Sequence, residues 1–171
     1  LKTNITTLFL FGLAGSGKSY LANFIAKEYG YFHYEGDDDL TPSMKQAIKA
    51  GAQFTDAMRM EFFQIIGDRI LELRKEHDKI VVSQAMYKNI HRNYLLSRFP
   101  DLQLVWVKAS DEVIMERIQK RGIKGVDEAY VKAIRANFEE PEMNVKEIIN
   151  DEKESLRNLF LWINKIANTN T

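Results

Sequence analysis

The chain has 171 residues, a length that suits one domain with a core large enough to need neither disulfides nor a structural metal. It contains no cysteine, which excludes disulfides, thiolate metal sites and cysteine nucleophiles together. Its 24 Lys and Arg balance its 24 Asp and Glu, arguing against a dedicated nucleic-acid binder; with no apolar run of spanning length and no signal-peptide pattern, it reads as a cytoplasmic protein without a membrane partner.

In chain order, Thr6 to Phe11 reads as a buried strand and Ser19 to Glu28 as an amphipathic helix. Between them, Gly12-Leu13-Ala14-Gly15-Ser16-Gly17-Lys18-Ser19 fills every fixed position of the phosphate-binding pattern Gly-x-x-x-x-Gly-Lys-Ser/Thr. The glycines let main-chain amides curl around phosphates, and the helix that follows points its positive end at them. Lys18 adds a charge near the β and γ phosphates, and the Ser19 hydroxyl is a hard oxygen donor suited to Mg²⁺. These residues predict a bound nucleoside triphosphate.

Tyr31 to Tyr34 reads as a second strand entering the acidic turn Glu35-Gly36-Asp37-Asp38-Asp39. Helical spacing follows over Ser43 to Ala50 and Asp56 to Lys75, separated by a loop at Gly51 to Thr55; Met58, Phe62, Ile65, Ile66, Ile70 and Leu73 form the second stripe. Lys79 to Ser83 is a third strand, Asn89 to Arg98 a helix, and Leu102 to Lys108 a fourth strand. Ser110-Asp111 caps a helix that runs to Arg121, where Gly122 and Gly125 punctuate a polar loop. A further helix runs to Glu140 and is broken by Pro141; Lys146 to Asn150 is a short fifth strand, and Glu152 to Ala167 a last helix with Leu156, Leu159, Phe160 and Ile163 inward. Asn168 to Thr171 read as frayed. Alternating strands and helices predict a three-layer α/β/α fold around a five-stranded parallel sheet, with ligands at the carboxyl ends of the strands. The phosphate loop, the acidic turn and Ser83 to Lys88 should therefore meet in one cleft.

Phosphoryl transfer needs a positioned acceptor oxygen, a base for its proton and charge neutralisation. A carboxylate of Asp37-Asp38-Asp39 could serve as that base or hold Mg²⁺ through water, although the same residues also suit a solvated, capped helix entry. Arg59 stands among apolar residues, either as an anion clamp facing the cleft or as a snorkelling surface arginine; Lys88 and Arg92 are weaker candidates of the same kind. Arg117 and Arg121 lie four apart, on one helical face, directly before Gly122-Ile123-Lys124-Gly125, as a closing lid would need. His33 reads as packing, and His77 and His91 as surface.

With these motifs the chain resembles, over nearly its full length, the gluconate kinases, a small sugar-acid branch of the phosphate-loop proteins related to shikimate and nucleoside-monophosphate kinases. The loop Gly12 to Ser19 matches, and Asp38-Asp39-Leu40-Thr41-Pro42 is similar to the family's turn ending in His-Pro. Ala47 to Gly51, Phe54 to Arg59, Ser83 to Lys88, Arg117 to Arg121 and Asn137-Phe138-Glu139-Glu140-Pro141 are similar to further family segments. The resemblance implies Mg²⁺-dependent transfer from ATP to a sugar acid, gluconate becoming 6-phosphogluconate, in a homodimer. Gly12, Ala14, Gly15, Ser16, Gly17, Lys18, Ser19 and Arg117 would hold ATP; Ser19 and Asp38 the metal; Asp38, Arg59 and Lys88 the acceptor; and Lys18, Asp38 and Arg121 the catalysis. It also implies acceptor-binding helices over residues 38–75 and a lid over 121–130. Departures fall on the acceptor side: Thr41 replaces the usual His, Glu61-Phe62 a Pro-Trp, and Gly122-Ile123-Lys124 a Gly-His-Phe. They leave open an acceptor such as shikimate, another polyol or a nucleoside monophosphate, and a nucleotide-binding protein without catalysis.

Overall fold

The computed structural model describes residues 7–122, 127–151 and 154–168. The strands are β1 (Thr7–Phe11), β2 (Phe32–Glu35), β3 (Ile80–Ser83), β4 (Leu102–Lys108) and β5 (Lys146–Ile149). The helices are α1 (Lys18–Tyr29), α2 (Pro42–Ala50), α3 (Asp56–Leu73), α4 (Asn89–Arg98), α5 (Asp111–Lys120), α6 (Glu128–Ala136) and α7 (Glu154–Asn168). All strand pairings are parallel, in the order β2-β3-β1-β4-β5.

Side chains alternate across a strand, so each strand feeds two cores. Phe9, Phe11, Ile80, Val82, Leu104 and Trp106 pack with Phe62, Ile66 and Ile70 of α3 and Leu95 of α4. Leu8, Leu10, Val81, Val105, Val107 and Ile148 pack with Leu21 and Ile25 of α1 and Leu159 and Ile163 of α7. This is the expected α/β/α sandwich, with both faces of the central strands covered.

Several local expectations change. β2 runs one residue further than predicted, which makes Glu35 a strand residue, and the acidic turn is a 3-10 turn over Gly36–Asp39. Thr41, at the position of the expected histidine, caps α2: its hydroxyl accepts from Met44 N at 3.2 Å and Pro42 takes the first turn, where a missing N–H costs nothing. α6 ends at Ala136 rather than Glu140, because Phe138 turns inward to stack on Trp106 and Phe11. Phe160 is exposed, not inward. His91 is buried against the Phe63 ring, with centroids 4.6 Å apart, and is no surface residue.

Arg92 is 0% exposed, so it cannot clamp a ligand in the cleft. Its guanidinium lies 4.8 Å from the centroids of both Phe11 and Phe138. It donates to Asn89 Oδ1 and Glu139 O, each at 2.7 Å, and to Met86 O at 2.9 Å. Burial lowers its pKa to about 10, partly offset by Glu139, so the group stays charged at neutral pH. One side chain thereby ties the loop after β3 to the segment after α6. Arg92→Ala should cost about 3–5 kcal/mol, from a cavity plus buried acceptors left unpaired. A urea midpoint close to that of the unmodified protein would mean that these contacts carry no stability.

Candidate active site

The loop between β1 and α1 is held by side chains that take its carbonyls. Arg117 donates to Gly15 O at 3.4 Å and Ser16 O at 3.2 Å and, through its other terminal nitrogen, to Asn150 O at 2.7 Å. The buried Asn150 amide donates to Ser16 O at 2.8 Å, and Lys18 Nζ to Leu13 O at 2.9 Å. Gly15 and Ser16 carbonyls drawn outward by Arg117 and Asn150 leave amides for the concave side, and the first N–H groups of α1 have no partner within the helix. Gly15 and Gly17 have φ of 79° and 90°, where a side chain would be strained; Gly17 also caps α1. The result is an anion nest at the amino end of a helix.

A cleft of about 150 Å³ opens in front of it. Ala14, Gly15, Gly17, Lys18 and Ser19 make one wall, Glu35 and Asp37 a second, and Gln84 and Ala85 a third, with Arg121 at the rim. The three expected segments therefore do meet. Gly12 and Ser16 are buried loop residues that do not line the cleft. Burial pulls the Lys18 ammonium down to about 8, Arg121 adding to the fall while Glu35 and Asp37 oppose it.

The acidic turn sorts its carboxylates. Asp37 lines the cleft. Asp38 is exposed and does not line it; burial lowers the His33 pKa and raises that of Tyr34, and the nearby Asp38 charge opposes the first shift and adds to the second. Asp39 accepts from Tyr34 Oη at 2.8 Å and from Arg69 at 2.9 and 3.1 Å, and the Arg69 hydrogen bonds hold its pKa below the usual carboxylate value. Glu35 ends β2 rather than sitting in the turn, and it lines the cleft with Lys18. Extending β2 by that residue puts Glu35 on the His33 face, a signal that strand alternation alone carries.

On the predicted acceptor side, Arg59 is half-buried at the start of α3; it donates to Phe54 O and pairs with Asp56 at 3.6 Å. Its charge reaches Tyr87 and His91, in and just beyond the segment after β3, without lining the cleft. Lys88 is paired with Glu139 at 3.3 Å. Tyr87, not singled out from sequence, accepts from the Ala14 amide of the phosphate loop at 3.5 Å. Of the expected lid, Arg121, Gly122 and the start of α6 are described, and residues 123–126 lie outside the described residues.

The donors in the cleft suit Mg²⁺: one hydroxyl, Ser19, and two carboxylates, Glu35 and Asp37, all hard oxygens. Among the described residues no group of three His, Cys, Asp or Glu forms a metal cage. A larger groove of about 460 Å³ between β5 and α7 contains none of the loop residues and lies at the far edge of the sheet. No described helix is long and apolar enough to cross a membrane.

Strand, glycine loop, lysine-bearing helix and a carboxylate-walled cleft at the sheet's carboxyl edge define a nucleotide-binding protein of the phosphate-loop kinase fold. The chain belongs to the AAA domain family, whose model matches residues 8–141. It is 22% identical over 143 residues to the thermosensitive gluconokinase of Escherichia coli, covering 84% of this chain and 76% of that protein. A Schizosaccharomyces pombe protein named "Probable gluconokinase" is 26% identical over 170 residues, covering 93% and 88%. In fold, the chain is similar to a crystal structure of a gluconokinase from Sinorhizobium meliloti, with a TM-score of 0.78, 23% identity, and coverage of 99% and 100%.

Proposed function

We propose that the chain is an ATP-dependent kinase that phosphorylates a hydroxyl of a sugar acid, gluconate becoming 6-phosphogluconate. The observation that carries this reading is the cleft in which Lys18 and the phosphate-loop amides face Glu35 and Asp37 across about 150 Å³. Its similarity to gluconokinases of bacteria and yeast supports the acceptor class.

In this reading the amides of Gly15 to Ser19 hold the β and γ phosphates, and Lys18 and Arg121 neutralise the charge that shifts during transfer. Mg²⁺, when bound, draws charge off the phosphate oxygens; Ser19 would hold it directly, with Glu35 and Asp37 acting through its water. The acceptor oxygen bonds to the γ-phosphorus as the bond to the β–γ bridging oxygen breaks, and the hydroxyl proton passes to a carboxylate of the acidic turn. Asp37 is the turn carboxylate with access to the cleft, so it takes the role that the resemblance implied for Asp38. Arg117 braces the loop beside the nucleotide. Arg59 and Lys88, on the acceptor side between α3 and the segment after β3, would bind the sugar carboxylate.

The test is an ADP-release assay with gluconate, shikimate and nucleoside monophosphates side by side. Gluconate should support turnover well above the others. Preference for another acceptor would overturn the substrate, and ATP binding without turnover on any of them would overturn the kinase assignment. Arg59→Ala should raise the KM for gluconate by about 10- to 100-fold, the scale of a lost charge-assisted contact, with the KM for ATP nearly unchanged. An unaltered gluconate KM would remove Arg59 from the acceptor site.

A further inference from the structure

Glu35 is held by a chain of hydrogen bonds that runs through Ser83 and His33 to Asn23 on α1. Its register partner in the sheet is Ser83, and His33, two residues earlier in β2, shares its face. That face is covered by α1, the helix whose amino end forms the phosphate nest. Ser83 is fully buried, and its hydroxyl donates to Glu35 Oε2 at 3.0 Å. His33 Nε2 lies 2.6 Å from Ser83 Oγ, and His33 Nδ1 lies 2.9 Å from Asn23 Oδ1 on α1.

Proton counting orders this chain. A carboxylate only accepts, so the single Ser83 proton goes to Glu35, and Ser83 Oγ must take its own hydrogen bond from His33 Nε2–H. A neutral ring then has a bare Nδ1, and the Asn23 amide faces it with its NH₂ after a half-turn that exchanges two atoms of similar size. Every donor points from α1 toward Glu35, and consecutive bonds of this kind polarise one another. One oxygen of Glu35 is thereby anchored, on a carboxylate that lines the cleft together with Lys18 and Ser19.

We infer that Ser83 and His33 are positioning residues that fix the Glu35 carboxylate against the phosphate loop, and that they act on the metal–nucleotide complex only through Glu35. The inference rests on the nucleotide-binding reading above and is independent of which acceptor is used.

The test is a double-mutant cycle of Ser83→Ala and Glu35→Gln on ATP affinity, measured by calorimetry with and without Mg²⁺. Ser83→Ala should weaken the gain in affinity conferred by Mg²⁺ by about 5- to 10-fold, the scale of a lost hydrogen bond to a charged group, and leave the metal-free affinity within about twofold. On the Glu35→Gln background the same change should have no further effect. His33→Leu should follow the same pattern with a smaller loss, and a slowly exchanging downfield proton on His33 Nε2 should disappear in Ser83→Ala. An equal loss with Glu35 already replaced, or an equal loss of metal-free affinity, would overturn the relay. Failure of the unmodified protein to bind ATP at all would instead overturn the nucleotide reading.

Discussion

Replacing Lys18 with methionine should lower phosphoryl transfer by at least about 10²- to 10³-fold, the usual cost of removing one preorganised donor from a transition state. The same change should raise the thermal midpoint of the ligand-free protein. The two effects share one cause. Lys18 is drawn into the loop by Leu13 O at 2.9 Å, and burial lowers its pKa from 10.5 to about 8, even with Glu35 and Asp37 opposing the fall. Between those values the unfolded chain binds more protons than the folded one, so this lysine's contribution to stability rises with pH across that window; at neutral pH its charge is a cost to the fold. Methionine keeps the stem and removes the cost. A polyphosphate in the nest favours the ammonium, so nucleotide binding above pH 8 should take up a proton, and at pH 6 it should not. Calorimetry in two buffers of different ionisation enthalpy measures that uptake. A lower midpoint in Lys18→Met, or the same proton uptake in that variant, would place the lysine outside the cleft.

The parts legible in the chain are those set by local pattern. β4 and α4 have the predicted bounds because apolar runs and capping signals sit at their own ends. The phosphate loop was readable for the same reason: its glycines, Lys18 and Ser19 carry their geometry within eight consecutive residues. Polar residues whose partners lie far along the chain were harder. Arg92 looks like a surface cation until Met86, Asn89 and Glu139 are assembled around it, and His91 looks exposed until Phe63 arrives from α3. α6 carries helical spacing past Ala136, but Phe138 instead turns inward to stack on Trp106, whose ring comes from β4. In the acidic turn, three identical residues in a row hold no local information about which one faces the nucleotide. Strand register decides that, through one residue more of β2 than apolar alternation indicated.

That sorting gives the second large effect. Asp37→Asn should lower kcat by about 10²- to 10⁴-fold, the range for loss of a positioned base, while ATP affinity in the absence of metal changes little. Asp38→Asn should cost less than about tenfold, the effect of one exposed charge acting across solvent. Asp39→Asn should act on stability instead. Its carboxylate is held by Arg69 and Tyr34 and has a lowered pKa, so its stabilisation is present above the ordinary carboxylate range and is lost as acid protonates it in the folded state. Measuring kcat, ATP affinity and acid-unfolding midpoints on the three variants separates the roles. The proposed mechanism predicts the largest turnover loss at Asp37, which lines the cleft, because a base must come within hydrogen-bonding reach of the acceptor hydroxyl. A larger loss at Asp38 would require the turn to rotate by one residue when ligand binds. Such a rotation would also pull Asp39 away from Arg69, so Asp38 dominance with an unchanged acid midpoint on ligand binding is the one pattern that neither arrangement of the turn allows.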